Sequence, residues 1–197
     1  MPLPRTPRPR HLWQALALGD LQTVSSDHAP YRFDASGKFV NGADPDFKAI
    51  PNGMPGLEAR LPLLFDAMVS QGRFDANRFV AWTATEPAKI YGLYPRKGSI
   101  AVGGDADIAI WDPNHSVTFD DAMVVDRAGY TPYAGRTVKG WPVVVIRRGA
   151  VIVEHGELDA DPGSGRFLAR AAGPAAEPLG RKSPEFDPRL NFGAKLE

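Results

Sequence analysis

The hydrophobic period changes at Pro95, which limits the chain to folds in which helices and strands both contribute to the core. Before it, Leu57, Leu61, Leu64, Phe65 and Met68 recur at helical spacing through Val69, with Gly72 beyond as a stop. Asp75 stands where an N-cap is needed for Phe79, Val80 and Trp82, and Thr85-Glu86-Pro87 opens a further short helix with proline in its first turn, ending near Gly92. After Pro95 the segments read as strands: Ser99–Val102, Asp107–Trp111, Val143–Ile146 and Ala150–Val153. The first two are bounded by Gly103-Gly104 and Asp112-Pro113-Asn114. The last two are joined by Arg147-Arg148-Gly149 as a hairpin.

The amino end begins with Pro2, Pro4, Pro7 and Pro9, which hold off regular structure until about His11. Leu12, Trp13, Leu16 and Ala17 then predict a short helix stopped by Gly19-Asp20, feeding a strand over Leu21–Val24. That strand runs into Ser25-Ser26-Asp27-His28-Ala29-Pro30. A carboxylate beside an imidazole at a strand end is how a catalytic group is presented at a barrel mouth, although the same dipeptide also serves as a turn or helix cap. Residues 31–53 are rich in Asp, Gly, Asn and Pro and form a long loop of the kind used as a lid or binding segment. From Pro162 to Glu197 only Phe167, Leu168, Phe186, Leu190 and Phe192 are available as anchors, so an extended tail is expected.

Composition removes several function classes. Lys plus Arg and Asp plus Glu both total 23, which leaves no bulk field for nucleic acid or an anionic membrane, although Arg5, Arg8 and Arg10 cluster. Without cysteine there is no disulfide, thiolate metal site or cysteine nucleophile, and a cytoplasmic location is expected. No apolar run approaches membrane-spanning length, so no membrane partner is expected either.

Ser26-Asp27-His28-Ala29-Pro30, Ile50-Pro51-Asn52-Gly53-Met54-Pro55-Gly56-Leu57-Glu58, Lys97-Gly98-Ser99-Ile100 with Gly104-Asp105-Ala106-Asp107-Ile108, Tyr130-Thr131-Pro132-Tyr133-Ala134-Gly135, and Gly140-Trp141-Pro142 follow one another in this order. As a set they resemble the carboxyl-terminal portion of the dihydropyrimidinases and D-hydantoinases, cyclic-amide hydrolases of the amidohydrolase superfamily. The resemblance implies an α/β fold. Residues 1–95 would be the last strand, loop and helices of a TIM-type (β/α)8 barrel, 96–160 part of a β-sandwich domain, and 161–197 the extended tail. It further implies a binuclear zinc centre, with Asp27 both a metal ligand and the carboxylate that moves protons during ring opening. Asn52 matches the residue whose backbone holds the imide edge of the ring, and Gly53 would permit close approach of main chain to substrate, where an Asn-Gly pair alone reads as a turn.

His28 is expected to orient the neighbouring carboxylate rather than to ligate metal. Glu58 is expected to cap or pair at a helix start. Tyr31, Phe33 and Phe39 are candidates to line the loop pocket or to anchor its packing. The family's zinc centre also uses a His-x-His pair, a carboxylated lysine and two further histidines, whereas this chain has only His11, His28, His115 and His155, no two of them two apart. Zinc is therefore not expected to be held by this chain alone. Three functions fit: the carboxyl-terminal fragment of a dihydropyrimidinase or hydantoinase, inactive alone; a non-catalytic assembly module of the same descent; or a dihydroorotase- or allantoinase-type hydrolase. The partners expected are a cyclic amide or imide and either further copies of the chain or a complementary amino-terminal segment.

Overall fold

The structure is a computed structural model and describes residues 9–171. Helix α1 (Pro9–Leu18) starts two residues earlier than the proline run suggests, because proline is tolerated in a first turn, where no intrahelical donor is required. It ends at Gly19, whose φ of 85° is open to glycine, with the Asp20 and Leu21 amides both donating to the Ala15 carbonyl. Trp13 and Leu16 face the core, while Leu12 is exposed.

Helix α2 (Leu57–Phe65) continues into a π-turn over Asp66–Ser70. Helix α3 (Ala76–Val80) is capped as expected: the Asp75 carboxylate accepts from the Arg78 amide at 2.8 Å. A second π-turn (Ala81–Thr85) leads into α4 (Glu86–Ile90), so one nearly continuous helical path replaces the two separate helices predicted. Leu16, Phe65, Met68, Phe79 and Trp82 form the main core.

Strands β1 (Ile108–Thr118), β2 (Thr137–Arg147), β3 (Ala150–Glu154) and β4 (Glu157–Leu158) make one antiparallel meander in the order β1-β2-β3-β4. The predicted β2–β3 hairpin is present, with Arg148 and Gly149 both at positive φ, as a two-residue turn between right-twisted strands requires. Three expectations are corrected. Leu21–Val24 and Ser99–Val102 are not strands, because a strand exists only where a neighbour completes its hydrogen bonds. In the first, the Leu21 amide turns back to the end of α1, and among the described residues the Val24 N–H alone reaches across, to the Trp82 carbonyl at 3.4 Å. In the second, Ile100 is 82% exposed. Conversely, β1 runs on through Asp112-Pro113-Asn114, because register shifts on either side of the Trp111–Asp112 pairs absorb the proline.

Helices and sheet are joined at one point. Asp66 accepts from the Lys139 amide at 3.1 Å and Ser70 donates to the Lys139 carbonyl at 2.6 Å, so both main-chain groups of Lys139 are satisfied from the two ends of the π-turn after α2. Beside them Phe65 stacks on Trp111 at 4.5 Å with 6° between ring planes, and lies nearly perpendicular to Phe79 at 5.3 Å. A second core of Ala59, Phe119 and Val138, with Tyr133 and Trp141 packed on it, extends the junction. The α/β class is thus observed as helices packed on an antiparallel sheet. Of the tail, the Ala171 amide bonds to the Gly92 carbonyl at 3.3 Å and Phe167 is exposed, while Phe186, Leu190 and Phe192 lie outside the described residues. Among the described residues no helix is long and apolar enough to cross a membrane.

Candidate functional site

The Asp27 segment is held from two sides. Arg60 of α2 donates to the Val24 carbonyl at 3.3 Å, and beyond it His28 makes a parallel bridge with Met54, with the Ala29 amide donating to the Met54 carbonyl at 3.1 Å. This places 27–29 directly beside 52–56. Asp27 has φ 47°, a left-handed conformation that few side chains other than Asp and Asn adopt readily. It is exposed, and among the described residues its carboxylate has no hydrogen-bond partner.

His28 has a defined role. Its Nδ1 accepts from the amides of Gly56 at 3.1 Å and Leu57 at 3.2 Å, two of the donors that the start of α2 leaves unmatched. An imidazole nitrogen accepts only when unprotonated, so the ring proton sits on Nε2. His28 therefore couples the Asp27 backbone to α2 by capping it from a distant segment, a cap invisible in local sequence.

Asn52 is exposed, and Gly53 has φ 111°. A Cβ on Gly53 would lie 2.5 Å from the Ala29 carbonyl oxygen, so the turn rests on the Asp27 segment backbone to backbone. From the other side Lys38 reaches in: its Nζ donates to the carbonyls of Pro51 and Gly53, both at 2.5 Å, and lies 5.2 Å from the Tyr31 ring centre. Nothing in the spacing of residues 31–53 singles out this lysine. It is one of three cations in the loop, with Arg32 and Lys48, and its sequence position does not set it apart from them. Tyr31 and Phe33 are exposed; Phe33 packs on Phe39 at 5.0 Å and on Tyr130 at 5.3 Å, so this part of the loop is anchored to the segment before β2. Burial, with the Asp126 charge nearby, raises the Tyr130 hydroxyl above its ordinary value. Glu58 ties α2 outward, accepting from the Val125 amide at 2.9 Å.

The Lys97 and Asp105-Ala106-Asp107 motif forms a clasp away from Asp27. Lys97 pairs with Asp105 at 2.9 Å and with Asp107, and Asp107 also accepts from the Arg148 amide at 2.8 Å, pinning the 97–107 loop to the β2–β3 turn. Partial burial pulls the Lys97 ammonium down, but its bonds to Asp107 and Asp105 outweigh this and hold it above its usual range. Asp105 is held below the carboxylate range chiefly by Lys97. At Asp107 burial pushes upward, and the Lys97 and Arg148 bonds overcome it.

Among the described residues no group of three or more His, Asp or Glu side chains lies close enough to hold a metal ion. His11, His115 and His155 are exposed on α1, β1 and the turn after β3. This donor set does not fit a binuclear centre. Two cavities stand out among the described residues. The larger, about 730 Å³, lies between α2–α3 and β1 and is walled by apolar groups such as Leu61, Phe79, Ile108 and Trp111. The smaller, about 200 Å³, is bordered by Ser25, Ser26, Gly56, Arg60 and Tyr133 with the apolar Leu63 and Leu64. Asp27, Asn52 and Gly53 line neither of these cavities; the smaller adjoins their segments through Ser26 and Gly56, and in the larger the charged Lys97 and Asp107 already satisfy each other.

Residues 7–152 match the model of the amidohydrolase family. The chain is 44% identical over 159 residues to the D-hydantoinase of Ralstonia pickettii, covering 81% of this chain and 34% of that one. It is 43% identical over 162 residues to the dihydropyrimidinase of Rattus norvegicus, covering 82% and 30%. Among solved structures, a D-hydantoinase superposes with a TM-score of 0.76 at 44% identity, covering 82% of this chain and 35% of that one. An L-hydantoinase from Arthrobacter aurescens gives 0.72 at 34% identity, with 82% and 35% covered. The chain spans about a third of the length of these relatives.

Proposed function

The chain belongs to the amidohydrolase family, and from that membership we propose that it supplies one side of the active site of a cyclic-amide hydrolase of the dihydropyrimidinase and hydantoinase type. Residues 1–95 would then be the end of its barrel, 96–160 part of its β-sandwich and 161–197 its tail. The observation that carries this reading is the seating of the Asn52-Gly53 turn against the Asp27 segment, through the His28–Met54 bridge and the Gly53–Ala29 contact.

An amide is a poor electrophile with a poor leaving nitrogen, so ring opening needs a group that takes a proton from the attacking water and returns it to the departing nitrogen. Asp27 is proposed for that transfer. Its carboxylate is exposed and unpaired among the described residues, and its left-handed backbone is the kind of strain found at functional positions. The Asn52 amide and carbonyl, neither bonded to other backbone among the described residues, are proposed to hold the N–H and C=O edge of the ring. His28 is proposed to fix Asp27 through its cap on α2. Asp27 is also the proposed contribution to a metal site, whose remaining donors would come from outside the described residues. The substrate proposed is a hydantoin or dihydropyrimidine, and the partner a complementary amino-terminal segment or further copies of the chain. Where in the cell it acts is proposed to be the cytoplasm.

The experiment replaces the matching third of the Ralstonia pickettii D-hydantoinase with this chain and follows hydantoin ring opening with zinc supplied. Turnover above the zinc-free control is the expected result. A folded, zinc-loaded chimera without turnover would favour the assembly-module reading.

A further inference from the structure

We propose that Lys38 is a positioning residue that sets and polarises the Asn52 backbone for a cyclic amide or imide, a role that rests on the function proposed above. The residue is only 8% exposed, and among the described residues no carboxylate pairs with it. A buried ammonium is costly unless its protons are accepted, and here two of the three go to the carbonyls on either side of Asn52. The charge is thus directed at one turn of backbone.

Two consequences follow from where those carbonyls sit. The Pro51 carbonyl and the Asn52 N–H belong to the same peptide group, so drawing electron density toward Lys38 through the carbonyl makes that N–H a stronger donor. With the Pro51 and Gly53 carbonyls taken by Lys38, the Asn52 carbonyl is the one left open in the turn, and the Asn52 N–H beside it has no partner among the described residues either. A cyclic amide presents the complementary pair, one carbonyl and the adjacent N–H. The opposite face is fixed by Gly53 against Ala29, where a Cβ has no room.

Lys38 is itself held rigidly. Asp34 accepts from the Ser36 amide at 2.8 Å and hydroxyl at 2.6 Å, which with Arg32 keeps its carboxyl below the usual range. The Lys38 amide returns to the Arg32 carbonyl at 2.8 Å, and Gly37 passes so close to that carbonyl that a Cβ would lie 2.2 Å from its oxygen. A short knot therefore aims the lysine, and the lysine aims the turn.

The test uses the whole chain, labelled with ¹⁵N and ¹³C and titrated with 5,6-dihydrouracil, comparing wild type with K38M and K38R. Amides of the Arg148-Gly149 hairpin report that each variant is folded, and K38Q replaces K38M if that variant fails this control. We expect K38M to shift the Pro51 and Gly53 carbonyl resonances and to weaken the dihydrouracil response at the Asn52 amide by about tenfold or more. K38R, which keeps charged donors, should restore part of both. Unchanged carbonyl resonances and dihydrouracil response in K38M would overturn the assignment of Lys38 while leaving the Asn52 site standing. Carbonyl resonances that depend on Lys38, with no wild-type response to dihydrouracil, would overturn the Asn52 site itself and the positioning role with it.

Discussion

Replacing Gly140 by alanine should be among the most damaging single-methyl changes in this chain. Gly140 lies in β2 with φ 97°, and an added Cβ would stand 2.1 Å from Phe65 Cδ1 and 2.3 Å from Cε1. Carbon atoms pack best at about 3.5–4.0 Å, so the ring would have to retreat by more than about 1 Å. Any retreat breaks into its packing, because Trp111 stacks on it at 4.5 Å and Phe79 lies across it at 5.3 Å. Forcing a side chain into this backbone region costs about 1–3 kcal/mol, and overpacking the core about as much again. The expected loss is about 2–6 kcal/mol, a large share of the roughly 5–15 kcal/mol that holds a domain together. Urea unfolding followed by tryptophan fluorescence would read it as a lower midpoint at unchanged slope. The same substitution in an F65L background should cost less, since the smaller, flexible leucine yields to the methyl. A loss below about 0.5 kcal/mol, or equal losses in both backgrounds, would refute the helix–sheet contact as described.

The Lys97 clasp makes stability depend on pH in two windows. Asp105 and Asp107 are held below the ordinary 3.8, so their contribution is complete above that value and is lost as pH falls beneath it. Lys97 is held above the ordinary 10.5, so its contribution is complete below that value and is lost as pH rises beyond it. A profile of Tm against pH should show both limbs in wild type, and K97M should flatten the alkaline limb and shrink the acid one. At the start of α2, H28A removes the acceptor for the Gly56 and Leu57 amides and should cost about 0.5–2 kcal/mol in chemical unfolding, with H28N recovering part. An H28A variant as stable as wild type would mean that water serves those amides equally well.

Features encoded by neighbouring residues were legible in the sequence. The Asp75 cap, the α2 stripe from Leu61 onward and the Arg148-Gly149 turn each depend on side chains within a few positions, and each is where the pattern puts it, whereas Leu57 at the head of the expected stripe is exposed. Leu21–Val24 and Ser99–Val102 have the composition of strands but no partners, and partnership is not a local property. The extension of β1 past Pro113 was hidden for the reverse reason, since register shifts let pairing survive a residue that normally ends it. At the candidate site, Asp27, His28, Asn52 and Gly53 were found through the family motifs. What the motifs did not convey was how these residues are held: His28 as a remote cap on α2, and Lys38 as the support beneath Asn52. Both contacts join positions far apart in the chain through the backbone of one partner, whose sequence leaves no trace of them.

The most direct test of the central claim is the kcat of the hydantoinase chimera with Asp27 changed to asparagine, a near-isosteric change that keeps the shape and removes the charge. If Asp27 carries the proton from water to the leaving nitrogen, kcat should fall by about 10²–10⁴, with the fold and the His28 cap intact. A D27N chimera turning over hydantoin at the wild-type rate would contradict the account.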